Sequence, residues 1–179
     1  MIHVPGFIAA VAAFTALVGL LVGAAAHVMR PRMLRDALLR HRVLPASVTG
    51  AAALAVTGVE LVLAATGTVA FVVNATVVLA TVLWLSAGTF AVYAAYSRYV
   101  SAKGLHVPCG CSRTEVPMDD WVTFRAVGFT VCAVGGALLA GSTPTDVTQW
   151  VVAVLATATL ALALWQLPAA MRQPALGGS

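Results

Sequence analysis

Charge is what this 179-residue chain has least of: charged residues make up 9% of it, against 61% hydrophobic. Mean hydropathy is +0.97. A soluble domain carries about 25% charged residues, and its polar coat depends on them. Their scarcity excludes a water-soluble globule and a disordered chain, and leaves an integral membrane protein. Three cysteines are too few for a disulfide scaffold. The chain shows no internal repeat, nucleotide-binding loop, hydrolase triad or transporter-like pair of interrupted helices. No basic segment precedes the first apolar stretch, which therefore reads as a retained helix and not a signal peptide. The net charge of +4 speaks to membrane orientation, and nucleic acid is not an expected partner.

A membrane-crossing helix needs about 20 apolar residues, because the hydrocarbon layer is about 30 Å thick and each helical residue advances about 1.5 Å. Five stretches qualify: residues 7–28, 44–66, 68–96, 121–140 and 147–167. The expectation is an all-α polytopic bundle, with residues 1–179 forming a single transmembrane domain in the lipid bilayer. Only Gly67 and its flanking threonines separate the second and third stretches, which predicts a tight hairpin turning there. Gly19 and Gly23 form a GxxxG pair, and Gly128, Cys132, Gly136 and Ala140 recur every four residues. Such small-residue stripes let helices approach closely, within one bundle or in a helix-mediated oligomer. Trp84 reads as packing.

Two longer connections remain, 29–43 and 97–120. Five crossings put both on the side of the C-terminal tail. With Arg125 just inside the fourth stretch, that side carries all ten Lys and Arg residues. The positive-inside rule then predicts a multi-pass protein of the cell membrane, N-terminus outside and the long connections cytoplasmic. Tyr93, Tyr96, Tyr99, Trp121 and Trp165 fall near inner ends and Trp150 near an outer end, as interfacial belts would. In the first connection Met33, Ala37 and Leu38 can share the apolar face of a short interfacial helix, its arginines reaching to phosphates. His27 and His41 read as interfacial.

The second connection contains His106-Val-Pro-Cys109-Gly110-Cys111-Ser-Arg113. Two thiols one residue apart are within reach of one bond, and the intervening glycine accepts backbone angles other residues resist. A disulfide so closed is strained and readily reduced, which suits exchange. Lys103, Arg113 and His106 would favour the thiolate. The same residues allow a second reading: His106, Cys109 and Cys111 are suitable ligands for copper or zinc. A third is two unreactive thiols in a structured loop. No cofactor is indicated; a quinone or a metal is compatible with the loop without being pointed to.

Glu60 is the one acidic residue inside a span. It lies seven residues before Gly67, and Asn74 lies seven after, so a hairpin at Gly67 would bring the two to one depth as a hydrogen-bonded clamp. Ionisable residues in membranes are costly and are functional candidates, so a proton or ligand site stands beside the clamp. Arg125, one turn into the fourth stretch, either reaches to the headgroups or faces the cysteine loop and tunes a thiol. Cys132 reads as part of its small-residue stripe.

The run HRVLP from His41, Glu60-Leu61 in the second stretch, and Cys-Gly-Cys followed by Trp121 and Arg125 together resemble the methylamine-utilisation protein E (MauE) family, within the DoxX-like redox-associated membrane proteins. The likeness covers roughly residues 13–139. It implies a four-helix core working beside a thioredoxin-like partner. It also implies a role in thiol–disulfide chemistry or maturation for methylamine metabolism, with Cys109 and Cys111 as the redox pair. Ser112 and Arg113 depart from the family's usual continuation after the second cysteine. A metal-binding membrane protein and a non-catalytic scaffold for a soluble oxidoreductase are the alternatives.

Overall fold

The structure, a computed structural model, describes residues 4–104, 107, 109, 117–142 and 146–171. Among these residues the fold is all helical: α1 (Val4–Met29), α2 (Pro31–His41), α3 (Thr49–Val72), α4 (Thr76–Ala102), α5 (Asp120–Leu138) and α6 (Val147–Ala170). Five of them, all but α2, are long and apolar enough to cross a membrane. Their outer faces are hydrocarbon: Leu54, Val77, Leu138 and Val147 stand largely exposed. So large an apolar surface is stable against lipid and not against water. Threonine and serine hydroxyls inside the spans bond back to their own helices, as Thr15 does to the Val11 carbonyl and Ser86 to that of Val82. A hydroxyl so bonded needs no water partner within the lipid.

The most buried span is α1, which packs against α3, α5 and α6. Its inward face is built of Ala9, Ala13, Ala16, Leu20 and Ala24. The other side of the bundle is the long α4–α5 contact, where Phe90 stacks on Phe129 at 5.2 Å between ring centres. The two predicted glycine motifs do serve close approach. A side chain at Gly19 would collide with the Phe129 ring, and one at Gly136 would come within 2.9 Å of the Ala13 backbone. The α5 stripe is shared between two neighbours, however: Gly128 faces Leu164 of α6 and Gly136 faces α1. Cys132 packs half-buried beside the core, as expected, and Ala140 falls beyond the helix end.

The predicted turn at Gly67 is wrong. Gly67 is buried inside α3, where its missing side chain admits Leu17, and Thr68 bonds back to the Ala64 carbonyl like any helical threonine. The chain turns at Val73–Ala75 instead, around Asn74 at φ 55°. Asparagine is one of the few residues with a side chain that accepts this left-handed conformation. The second and third spans therefore slide towards the C-terminus, to 49–72 and 76–102. The connection between the first two spans lengthens to residues 30–48, and the cysteine-bearing one shortens to Lys103–Asp119. Trp84 is also misplaced by the expectation: it is 49% exposed and faces outward.

The short helix expected in the first connection exists as α2. Its buried face is Leu34, Ala37, Leu38 and His41, with Met33 only half-buried, and Arg32, Arg35 and Arg40 are exposed. It packs on α3 through Leu34, Leu38 and Ala53. The two long connections meet at one end of the bundle, where Val43 packs into the cluster of Val100, Cys109, Met118 and Val122. At that end Asp119 caps α5 by accepting the Val122 amide, 3.1 Å away.

Gly136→Val should lower the thermal midpoint of the detergent-solubilised protein by an amount corresponding to about 1–3 kcal/mol of overpacking. Gly88→Val, where no atom lies within 4 Å of the added carbon, should leave the midpoint unchanged.

Candidate functional site

The polar residues of the spans converge on one cavity. It has a volume of about 240 Å³ and sits within the half of the bundle that carries α2 and the cysteine connection. One face of α4 forms a wall, with Phe90, Tyr93 and Ser97 three and four residues apart, and Tyr96 beside them. That spacing keeps side chains on one face of a helix and extends the wall by about 10 Å.

Glu60 enters from α3 and is 97% buried, its exposure being 3%. It is the twelfth of the 24 residues of α3, so it lies at the middle of the span and not towards one end. Its Oε1 accepts a hydrogen bond from the Tyr93 hydroxyl at 3.0 Å. Its Oε2 lies 3.6 Å from Nε2 of His27, which is beyond hydrogen-bond length. Oε2 and the other His27 nitrogen, Nδ1, are both buried without a hydrogen-bond partner among the described residues. Gly23, one turn before His27, leaves room for the carboxylate: a side-chain carbon there would sit 3.1 Å from Oε1. The Glu60–Asn74 clamp is therefore overturned. Asn74 lies in the turn at the far end of α3, and Glu60 is held by Tyr93 and His27.

The other end of the cavity is made by Cys109 and Arg125. Cys109 is buried, 5% exposed, between Val100, Met118 and Val122. The strand-like pairing of the Met118 amide with the Val107 carbonyl, at 2.9 Å, closes the base of the connection around it. Nη2 of Arg125 donates towards Cys109 Sγ at 3.7 Å. The guanidinium also lies over the indole of Trp165 on α6, 5.0 Å from the ring centre, a favourable placement for a cation in an apolar setting. Arg125 thus faces the cysteine connection and not the headgroups. His41 from α2 lies 2.8 Å from the Tyr96 hydroxyl.

The site gathers three of the residues singled out in the sequence, Cys109, Arg125 and Glu60, and leaves Asn74 out. Cys111, His106 and Arg113 lie outside the described residues, so the Cys-Gly-Cys pairing and the proposed metal trio do too. Cys109 and Cys132 form no disulfide with each other, and Cys132 does not line the cavity. His27 and His41 do not face outward: both are buried, 4% and 1% exposed, His27 beside Glu60 and His41 beside Tyr96. Tyr93, Tyr96 and Trp165 were expected in an interfacial belt, yet each turns a polar or π face to the site. The signal for Tyr93 was present in the sequence, since it shares the helical spacing of Phe90 and Ser97.

The family model described as Methylamine utilisation protein MauE matches residues 5–140, which cover α1 from its second residue through α5 and every site residue named above except Trp165. Comparisons with curated proteins and with solved structures give no match.

Tyr93→Phe removes the donor to a buried carboxylate oxygen and should cost about 1–3 kcal/mol. A lower unfolding midpoint in detergent, without loss of helical circular dichroism in the folded state, would be the result. An unchanged midpoint would mean that the Tyr93–Glu60 bond does not hold the site.

Proposed function

The chain belongs to the MauE family, a multi-pass membrane protein of the methylamine-utilisation group, and from that premise we propose that it assists thiol–disulfide exchange for a thioredoxin-like partner. Cys109 and Cys111 are the redox pair of this reading. The observation that carries it is the Arg125–Cys109 contact at 3.7 Å. A membrane span tolerates a guanidinium only with good reason, and a positive charge beside a sulfur favours the thiolate, the form that attacks disulfides. Trp165 holds that charge in place.

The burial of Cys109 sets its task. Cys109 faces the interior cavity, so in this reading Cys111 forms the mixed disulfide with the partner, and Cys109 is the thiolate expelled when partner thiols are oxidised and the resolving thiolate in the reverse direction. In one direction, two partner thiols become a disulfide while the Cys109–Cys111 bond is reduced to two thiols. The charge asymmetry supports a cytoplasmic side for this chemistry in our reading, since five crossings would put all ten Lys and Arg residues on one side. Electrons would then come from a cytosolic thiol system, which is kept reducing.

A Cys109→Ser variant should accumulate a mixed disulfide between Cys111 and a purified thioredoxin-like protein, visible as a reducible adduct on gels. Arg125→Met should slow alkylation of Cys109 by about tenfold, the effect of one unit in thiol acidity. Absence of any adduct with either single cysteine variant, together with unchanged Cys109 alkylation in Arg125→Met, would reject the reading.

A further inference from the structure

We propose that anionic phospholipid holds α2 over the cavity, its phosphates bound by the arginines on the outer face of that helix. Such binding concerns the cover of the cavity and not the chemistry inside it, and it holds whether or not Cys109 exchanges with a partner.

Residues 30–42 carry five arginines, Arg30, Arg32, Arg35, Arg40 and Arg42, against one acid, Asp36. All five are exposed. None has a carboxylate within ion-pair distance among the described residues, where the pairs at that distance are His27–Glu60 and Arg98–Asp120. Arg32, Arg35 and Arg40 share the side of α2 opposite Leu34, Ala37, Leu38 and His41, as a period of 3.6 residues requires. They form a strip about 12 Å long. Asp36, four residues from both Arg32 and Arg40, offsets one charge. Like charges three residues apart, such as Arg32 and Arg35, destabilise a helix. The 11 residues of α2 are also too few for a helix to persist unaided in water. Its apolar face and the His41–Tyr96 contact at 2.8 Å hold it from within; its outer face still needs counter-charge.

The position of the strip selects that counter-charge. α2 joins the ends of two spans, α1 and α3, so it lies at the edge of the membrane. On either side of it Met29 and Val48 are exposed hydrophobic side chains. Hydrocarbon-facing groups so close to the arginines put the guanidinium groups at the depth of lipid phosphates. A soluble acidic protein would have to seat itself across that apolar rim. A guanidinium meets a phosphate with two parallel N–H donors. Lipids of net negative charge add an attraction that zwitterionic phosphatidylcholine lacks. The inner face of the same helix contributes Leu34, Leu38 and His41 to the cavity wall. The lipid composition of that leaflet therefore sets how often the cavity is uncovered at this end.

The test compares the full chain in nanodiscs of phosphatidylcholine with the chain in nanodiscs of phosphatidylcholine mixed with phosphatidylglycerol. Amide hydrogen exchange across Pro31–His41 should be about tenfold slower in the mixed discs. Each basic residue at an anionic surface contributes about fivefold, and part of that contact survives when the helix lifts. Arg32→Gln, Arg35→Gln and Arg40→Gln together should erase the difference, and in native mass spectra this variant should retain fewer phosphatidylglycerol molecules than the wild type. If the variant fails to fold, high salt on the wild-type chain does the same work. Screening cuts the reach of a surface charge to about 3 Å at 1 M ionic strength, and the difference should collapse. Equal exchange in the two discs, or a difference that survives both the variant and the salt, would overturn the proposal. So would the same slowing produced in phosphatidylcholine discs by inorganic phosphate or by polyglutamate, which would assign the arginines to a soluble anion or to an acidic protein.

Discussion

A carboxyl group placed halfway along a membrane-spanning helix has to be enclosed by protein, and the enclosure of Glu60 organises the half of the bundle that holds the site. Gly23 withdraws its side chain to make space, Tyr93 donates from α4, and His27 closes the third side from α1. Three helices that would otherwise be joined by interchangeable apolar contacts are thereby fixed in register. The remainder of the core is alanine, leucine and phenylalanine, which fills volume without specifying depth. In hydrocarbon the polar cluster is the discriminating element, since apolar packing against a neighbour gains little over packing against lipid.

The cavity follows from the same cause. Bulky aromatic rings on α4 and α5 and a carboxylate on α3 cannot be packed as tightly as the alanine face of α1. The amphipathic helix α2 then roofs the space from one end, and its histidine ties to Tyr96. Charge is partitioned along this axis. The arginines of α2 face outward, and among the described residues the one guanidinium that lines the cavity, that of Arg125, is aimed at a sulfur.

Which parts could be read without coordinates depended on whether the signal was local. Five long apolar runs announce five spanning helices, because hydrophobic length is a property of each segment alone. Cys109, Arg125 and Glu60 stood out because such residues are rare in an apolar chain. The turn was misread because glycine was weighed above asparagine. In a membrane helix a glycine such as Gly67 more often marks a close neighbour than a chain reversal, and Asn74 held the positive-φ position. That error alone produced the false Glu60–Asn74 pairing. Tyr93, Tyr96 and the two histidines were hidden for a different reason. Each is amphipathic and suits an interface equally well, and only the packing of α1, α2 and α4 reveals that they point inward.

The sixth helix has a consequence of its own. The family match stops at residue 140, before α6 begins, yet α6 contributes the indole that covers the Arg125 guanidinium. The final crossing therefore behaves as an insulating shutter: it keeps acyl chains off a cation that the five preceding helices leave with one open flank. A relative that ended after its fifth helix would have to shield that cation by other means, such as an anionic lipid or the flank of an adjoining subunit.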